Sequence, residues 1–463
     1  MQINSINRTT VINILSTVIL DSIAFFTTPI FTRLLGAEQY GVYAVYLTWV
    51  SIFQCFMGLG MGSSLNVGRY HFREKYPAFR SGILLCATLC SVLLIGFVSL
   101  FLPLLSSLLH FDRLIIFLML LHAFFSFVVG FVRGDYVYGK KAQNNFLLSM
   151  ILTFSTVLLS ICFIQRKTFA EPYLGRVYGN LIPYALVGSA VWLLTFFKRP
   201  DWPRKAYILF AFPIGYPIIF HTLAHSILGQ SDRVMMRGFG ILDAEIGIYS
   251  LFYSMNGVLT ALLSALNTSW CPFYFDDLDT ENWSSLKRKS KNYVELFTVI
   301  CFGFLMLARE VTYLMAESEF WNGVNLLPVL AFGAFFTLMY QFAVNFEFFC
   351  KKTQLIAVGT ILSGLLNIAL NALMIPLWGM YGAAIATVFS YAALFLFHYH
   401  MAGRIKKKLF YYPMIPLLCG LSALAAGALL FFVWKDFPFV RWTVGALAGF
   451  WELSRMRKRK SIF

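Results

Sequence analysis

Charged residues are scarce in this sequence of 463 residues. Lys, Arg, Asp and Glu make up 13% of the chain, whereas about 25% is usual for a soluble globular domain. Hydrophobic residues make up 59%, and the mean hydropathy is +0.72. So little charge leaves too little polar surface to face water on all sides. The composition therefore argues against a soluble domain and favours a membrane protein.

The sequence also lacks the patterns of common catalytic and cofactor sites. Its eight cysteines lie mostly inside apolar segments, with no C-x-x-C pair and no metal-ligand spacing. It contains no phosphate-binding P-loop. The segment 277–279 (DLD) has the D-x-D form of glycosyltransferases, but we expect it in a loop too short for a nucleotide-binding domain. We therefore predict no enzyme activity, no cofactor and no metal site.

Long apolar segments dominate the rest of the chain. Residues 81–105 and 146–164 contain no charged residue, and about 20 apolar residues suffice for a helix to cross the hydrocarbon layer. Apolar and polar residues do not alternate within these segments, which argues against a β-barrel. We predict fourteen transmembrane helices, with 269–292 as the longest connection. Their predicted ranges are 10–31, 40–65, 81–105, 112–132, 145–164, 173–197, 206–229, 246–268, 293–316, 325–349, 354–375, 379–402, 411–434 and 437–452.

The basic residues are distributed unevenly between the two sides of this predicted topology. With the N-terminus inside, 27 of the 37 Lys and Arg residues fall on the cytoplasmic side and 10 outside. Cytoplasmic loops of membrane proteins concentrate Lys and Arg, so we expect both termini in the cytoplasm. The formal charge of +16 is thus explained by orientation and by contact with anionic membrane lipids, and it does not indicate nucleic-acid binding.

A short repeat suggests that the chain consists of two halves. The segment 35–43 (LGAEQYGVY) follows the first predicted helix, and 242–249 (LDAEIGIY) follows the seventh. Six helices separate them, so the halves have the same orientation, and a substrate path is expected between them. We predict lobes at 1–205 and 206–403, each with six helices. Residues 404–463 add two further helices and a basic tail.

Three groups of motifs resemble the MOP (multidrug/oligosaccharidyl-lipid/polysaccharide) exporter superfamily, and above all its Wzx-like polysaccharide flippases. They are 32–36 (TRLLG) with 40–43 (YGVY), 231–233 (SDR) with 246–250 (IGIYS), and 367–371 (NIALN) with 375–387 (IPLWGMYGAAIAT). The resemblance implies an all-α membrane fold with two pseudo-symmetric lobes in a V around a central cavity. It further implies export of undecaprenyl-diphosphate-linked oligosaccharide across a bacterial inner membrane, alongside a polysaccharide polymerase and glycosyltransferases.

Three ionisable residues inside predicted helices are candidates for ion coupling. Asp21 lies near the middle of the first helix, and His221 and His225 lie one turn apart in the seventh. Ionisable residues at membrane depth are functional hypotheses by default, and a carboxylate and an imidazole facing one cavity could bind and release a proton. The alternative is that all three are hydrogen-bonded packing residues. A zinc site at the two histidines lacks a third ligand.

The substrate-binding candidates are cations for a diphosphate and polar side chains for a sugar. Arginine suits phosphate because it forms bidentate hydrogen bonds; the alternative for each arginine is a headgroup anchor or the partner of a nearby acid. Asn367 and Asn371 face one way on a helix, so they either hydrogen-bond another helix or line the cavity. The full set is Arg33, Arg69, Arg233, Asn66, Asn256, Asn367 and Asn371.

Two alternatives to the flippase function remain open. A cation-coupled multidrug antiporter of the MATE type belongs to the same superfamily, although the 367–387 motif favours the polysaccharide branch. A membrane-integral oligosaccharide polymerase or ligase would act on the same lipids. Such enzymes commonly carry catalytic residues on a large external loop, and every predicted external loop here is short.

Overall fold

The computed structural model describes the backbone of residues 2–405 and 409–459 and the side chains of residues 25–405 and 409–457. The described chain is almost entirely helical and contains no strand. Its α-helices are α1 Gln2–Phe56, α2 Leu65–Phe72, α3 Tyr76–Ser99, α4 Leu102–Leu109, α5 Arg113–Tyr138, α6 Ala142–Gln165, α7 Pro172–Phe197, α8 Lys205–Gly238, α9 Asp243–Asp279, α10 Trp283–Met315, α11 Leu326–Phe349, α12 Thr353–Ile405, α13 Met414–Val433 and α14 Pro438–Arg459.

Two of these helices are too long for a single crossing, and each contains a kink at one glycine. Helix α1 has 55 residues and α12 has 53, about 80 Å each at 1.5 Å per residue. Gly36 has φ 69° and ψ 173°, and Gly379 has φ 55° and ψ −130°, conformations that glycine adopts without a Cβ clash. Each long helix therefore corresponds to two predicted ones, and the connection predicted at 376–378 is a one-residue kink at Gly379.

Two predicted helices in the first half of the chain are interrupted before their predicted ends. The helix expected at 40–65 leaves α-geometry at Phe56 and continues as the 3-10 helix Met57–Ser64, in which Gly58, Leu59 and Gly60 have positive φ. The helix expected at 81–105 ends at Ser99, and the short α4 begins at Leu102 with a proline in its first turn. Proline cannot donate the backbone hydrogen bond that a continuing helix needs, which explains this second break.

The predicted connection 269–292 is mostly helical. Helix α9 runs to Asp279 and α10 begins at Trp283, with the Asn282 side chain accepting a hydrogen bond from the Ser285 amide as an N-cap. The 277–279 segment thus lies in the last turn of a helix rather than in a loop. There the buried Asp277 pairs with Lys289 at 3.0 Å.

Nine described helical segments are long and apolar enough to cross a membrane. If α1 and α12 are divided at their kinks, the helices of at least 20 residues yield fourteen segments near the predicted ranges. The all-α membrane architecture expected from the sequence is therefore confirmed. The number of crossings and the sides they face stay predictions.

The chain forms two compact units, Met1–Ser226 and Ile227–Phe463. Their boundary falls inside α8, whereas the predicted boundary precedes that helix. In the second unit, α13 and α14 pack on α10, where Arg441 contacts Glu310 and the Met306 carbonyl. The prediction of lobes 1–205 and 206–403 with an added segment 404–463 stays a prediction.

Candidate functional site

A buried carboxylate lies at the centre of a hydrogen-bond network in the second unit. Asp232 of α8 is fully buried and accepts hydrogen bonds from three side chains. Asn371 Nδ2 donates to Oδ1 at 2.6 Å, Thr387 Oγ1 donates to Oδ2 at 2.9 Å, and the Tyr249 hydroxyl donates to Oδ2. Helices α8, α9 and α12 thus meet at one carboxylate, which ties the 231–233, 246–250 and 367–387 motifs together.

The two asparagines of α12 extend this network. Asn367 Oδ1 accepts from the Ser231 hydroxyl at 3.2 Å and from Asn371 Nδ2 at 3.1 Å. Both asparagines are fully buried, and Asn371 Oδ1 has no hydrogen-bond partner among the described residues. The structure thus shows the interhelical hydrogen bonds expected as one alternative. A role of these residues in substrate binding stays a prediction.

Small residues after the kink of α12 bring Thr387 into the network. A Cβ added to Gly382 would overlap the Met374 carbonyl, so the two parts of α12 approach each other at backbone distance. Ala383 and Ala386 on the same part of the helix are fully buried. This close approach places Thr387 beside Asn367 and the Asp232 carboxylate.

Arg233 does not form the ion pair with its neighbour that the sequence suggested. Its Nε donates to the Ser250 hydroxyl at 3.0 Å, and its Cζ lies 4.8 Å from the centre of the Tyr253 ring. Asp232 forms no salt bridge with any described side chain. A desolvated carboxylate held by neutral donors can take up a proton or a small cation.

The first unit contains a cluster with an excess of positive charge. Asp135 of α5 is buried and pairs with Arg69 at 3.1 Å and with Arg80 at 2.8 Å, and it accepts from the Tyr76 hydroxyl at 2.6 Å. The Nε atoms of both arginines are buried without an acceptor among the described side chains and backbone. Two guanidinium groups share one carboxylate, so the cluster retains attraction for an anion.

The other predicted residues lie apart from these two networks. Arg33 is exposed and donates to the Pro29 carbonyl at 3.2 Å, and Asn66 is exposed on α2. Asn256 is buried, with an Oδ1 that has no partner among the described residues. His225 is exposed, while the Nδ1 of the partly buried His221 has no described partner.

The side chain of Asp21 lies outside the described residues. Its expected place at one cavity with a histidine stays a prediction.

Sequence reasoning missed three ionisable side chains inside predicted helices. His122 of α5 is buried, and its Nδ1 lies 3.2 Å from the Tyr46 hydroxyl. Glu347 of α11 and His398 of α12 are both fully buried, and His398 Nδ1 lies 2.9 Å from Glu347 Oε2. Their depth in apolar segments was a sufficient signal, because ionisable residues at such positions are rare.

The comparisons with known proteins agree with this architecture. The model of a family described as "Polysaccharide biosynthesis protein" matches residues 6–276. Among curated proteins, "Lsg locus putative protein 1" of Haemophilus influenzae is 20% identical over 372 residues, covering 75% of this chain and 86% of that protein.

Two solved structures are similar along most of their length. "Lipid II flippase MurJ, inward closed conformation" matches with a TM-score of 0.71 and 15% identity, covering 97% of this chain and 99% of that one. An inward-facing multidrug resistance MATE family transporter of the MOP superfamily matches with a TM-score of 0.65 and 16% identity, covering 84% and 95%. At these identities the likeness shows the fold, which is that of a membrane transporter.

Proposed function

Because this chain belongs to the polysaccharide biosynthesis protein family of the MOP exporter superfamily, we propose that it flips undecaprenyl-diphosphate-linked oligosaccharides to the outer leaflet. At a coarser level, the chain is an integral membrane protein with the fold of flippases and MATE-like transporters. The family match over residues 6–276 carries the choice of substrate class, because it assigns the chain to the polysaccharide branch.

The cluster of Arg69, Arg80 and Asp135 supports an anionic headgroup as substrate. One carboxylate neutralises one of the two guanidinium groups, and the remaining charge suits a diphosphate, which arginine binds through paired hydrogen bonds. In the predicted topology this cluster faces the cytoplasm, where such a lipid is assembled. We infer that the cluster captures the diphosphate, with a polymerase and glycosyltransferases acting after and before this step.

We further propose that an ion gradient drives export and that Asp232 holds the coupling ion. Its full burial and its neutral hydrogen-bond donors support this role, because a proton or cation would neutralise a charge that burial makes costly. Asp21, His221 and His225 in the first unit stay candidates for ion coupling as well.

Reconstituted protein tests the proposed substrate against the alternatives. In proteoliposomes, the protein should change the leaflet of the lipid-linked oligosaccharide and leave its glycan chemically intact. A lengthened or transferred glycan would favour a polymerase or ligase. Proton-driven uptake of a cationic drug, without movement of the lipid, would favour the MATE-like function that the fold also permits.

The predicted orientation is tested by reporter fusions. Because 27 of 37 basic residues fall on one side, fusions after Lys205 and after Lys460 should be active as cytoplasmic reporters, and a fusion after Asp243 as an external one. An external signal after Lys205 would contradict the topology and the cytoplasmic placement of the Arg69 cluster.

A further inference from the structure

An arginine inside the first unit has aromatic neighbours but no acidic partner among the described residues. The Cζ of Arg176 in α7 lies 3.4 Å from the centre of the Phe31 ring and 5.5 Å from that of Tyr43. Its Nη1 atom is buried and has no hydrogen-bond acceptor in the part of the chain that the structure describes, and no described carboxylate forms an ion pair with it. The side chain as a whole is half-buried, so a ligand can reach part of it.

Two other arginines of the described chain have a carboxylate partner for their charge. Arg441 pairs with Glu310 and donates to the Met306 carbonyl at 2.8 Å, and Arg80 pairs with Asp135, although the Nε atom of each has no acceptor among the described residues. Arg233, which forms no ion pair there, donates to the Ser250 hydroxyl. An aromatic face attracts a cation but offers no lone pair in the plane of the guanidinium, where its N–H groups point. Arg176 therefore retains unused hydrogen-bonding capacity.

The surroundings of Arg176 hold its position. Asn180, one turn further along α7, donates to the Tyr43 hydroxyl, which fixes the ring beside the guanidinium. Gln39 connects the start of α7 to α1, because its amide donates to Glu171 at 2.9 Å and its oxygen accepts from the Tyr173 backbone. The guanidinium is thus held by two neighbouring helices before any ligand arrives, which lowers the entropy cost of binding.

We propose that Arg176 is an anion ligand that binds a phosphate of the transported lipid. The missing acceptor is one that a phosphate oxygen supplies, and a planar guanidinium donates to two such oxygens at once. The identification of the anion as a lipid diphosphate rests on the proposed function. In the predicted topology α7 begins outside, so this site lies at the opposite end of the first unit from the Arg69 cluster and binds the headgroup late in export.

The test compares Arg176→Gln and Arg176→Lys with the parent protein in detergent, using inorganic pyrophosphate and undecaprenyl diphosphate as probes. We expect the diphosphate lipid to raise the melting temperature of the parent. Arg176→Gln should melt no lower than the parent without ligand, because it loses an uncompensated cation, and should bind at least tenfold more weakly. Arg176→Lys should bind with intermediate affinity. Arg441→Gln is the control, which should melt lower and bind normally.

Each further outcome separates the explanations. Protection by pyrophosphate as well as by the lipid indicates a site for free diphosphate, whereas protection by the lipid alone indicates a headgroup site. If Arg176→Gln melts lower and binds both probes like the parent, the arginine is structural and the proposal is wrong. If lipid binding depends on Arg176 but the parent does not flip lipid-linked oligosaccharide, the anion site stands and the proposed function fails. If the parent and Arg176→Gln flip and bind equally, only the anion site fails.

Discussion

Replacing Asp232 by alanine should destabilise the second unit strongly, whereas asparagine should be tolerated. Alanine leaves the Tyr249, Asn371 and Thr387 donors without their acceptor, and an unsatisfied buried donor costs about 1–3 kcal/mol. One of them, Asn371 Nδ2, retains a weaker contact to Asn367 Oδ1 at 3.1 Å. Loss of the buried charge also relieves part of its desolvation. We therefore expect a net loss of about 3 kcal/mol for Asp232→Ala.

Asparagine keeps one acceptor oxygen at this position. Its amide nitrogen can donate to the unpaired Oδ1 of Asn371 once the Asn371 amide rotates so that its oxygen and nitrogen exchange places. We expect Asp232→Asn to lose about 1 kcal/mol or less. Reversible unfolding in mixed micelles measures both values. The Asp232→Asn protein should also still move lipid between the leaflets without an ion gradient. An imposed ion gradient should no longer accelerate this movement. Equal stability of the alanine variant and the parent would refute the energetic argument, and undiminished gradient dependence of the asparagine variant would refute the coupling role.

Two further predictions concern packing in the second unit. His398→Ala should lower the free energy of unfolding by about 3–5 kcal/mol, since it leaves the fully buried Glu347 without its partner. The double variant that also carries Glu347→Gln should recover part of the lost free energy, and identical values for the single and double variants would contradict the pairing. Gly382→Ala should lower the amount of folded protein in the membrane, because its Cβ would meet the Met374 carbonyl. The control Gly257→Ala, whose Cβ meets nothing within 4 Å, should accumulate normally, and equal accumulation of the two variants would refute the close approach within α12.

The polar side chains of α12 show how far local patterns predict structure. Asn367 and Asn371 are one turn apart, and polar groups in an apolar helix seek partners, so interhelical hydrogen bonds could be predicted. The hydrogen-bond partner of Arg233 could not be predicted in this way. Adjacent residues on a helix point to different faces, so proximity in sequence to Asp232 was misleading, and Arg233 bonds to Ser250 instead.

Contacts between segments that are distant along the chain could not be predicted from the sequence. Asp135 meets Arg69 and Arg80 across separations of 66 and 55 residues, which no periodicity encodes. The polar stretch 269–292 was predicted as a connection because hydropathy falls there. The structure keeps it helical because the N-cap at Asn282 and the pairing of Lys289 with Asp277 satisfy its polar groups. Hydropathy thus located the helices but not their ends.

The leaflet position of lipid-linked oligosaccharide in proteoliposomes tests the central claim most directly. The glycan is labelled, and a glycan-cleaving enzyme that cannot enter the vesicles is added outside. Vesicles that contain the protein should lose nearly all of the label, because inner-leaflet lipid keeps reaching the outer leaflet, and the loss should accelerate under an ion gradient. Empty vesicles should stop at their outer-leaflet fraction. If vesicles with correctly folded protein stop at that same fraction, the protein is not a flippase for this lipid.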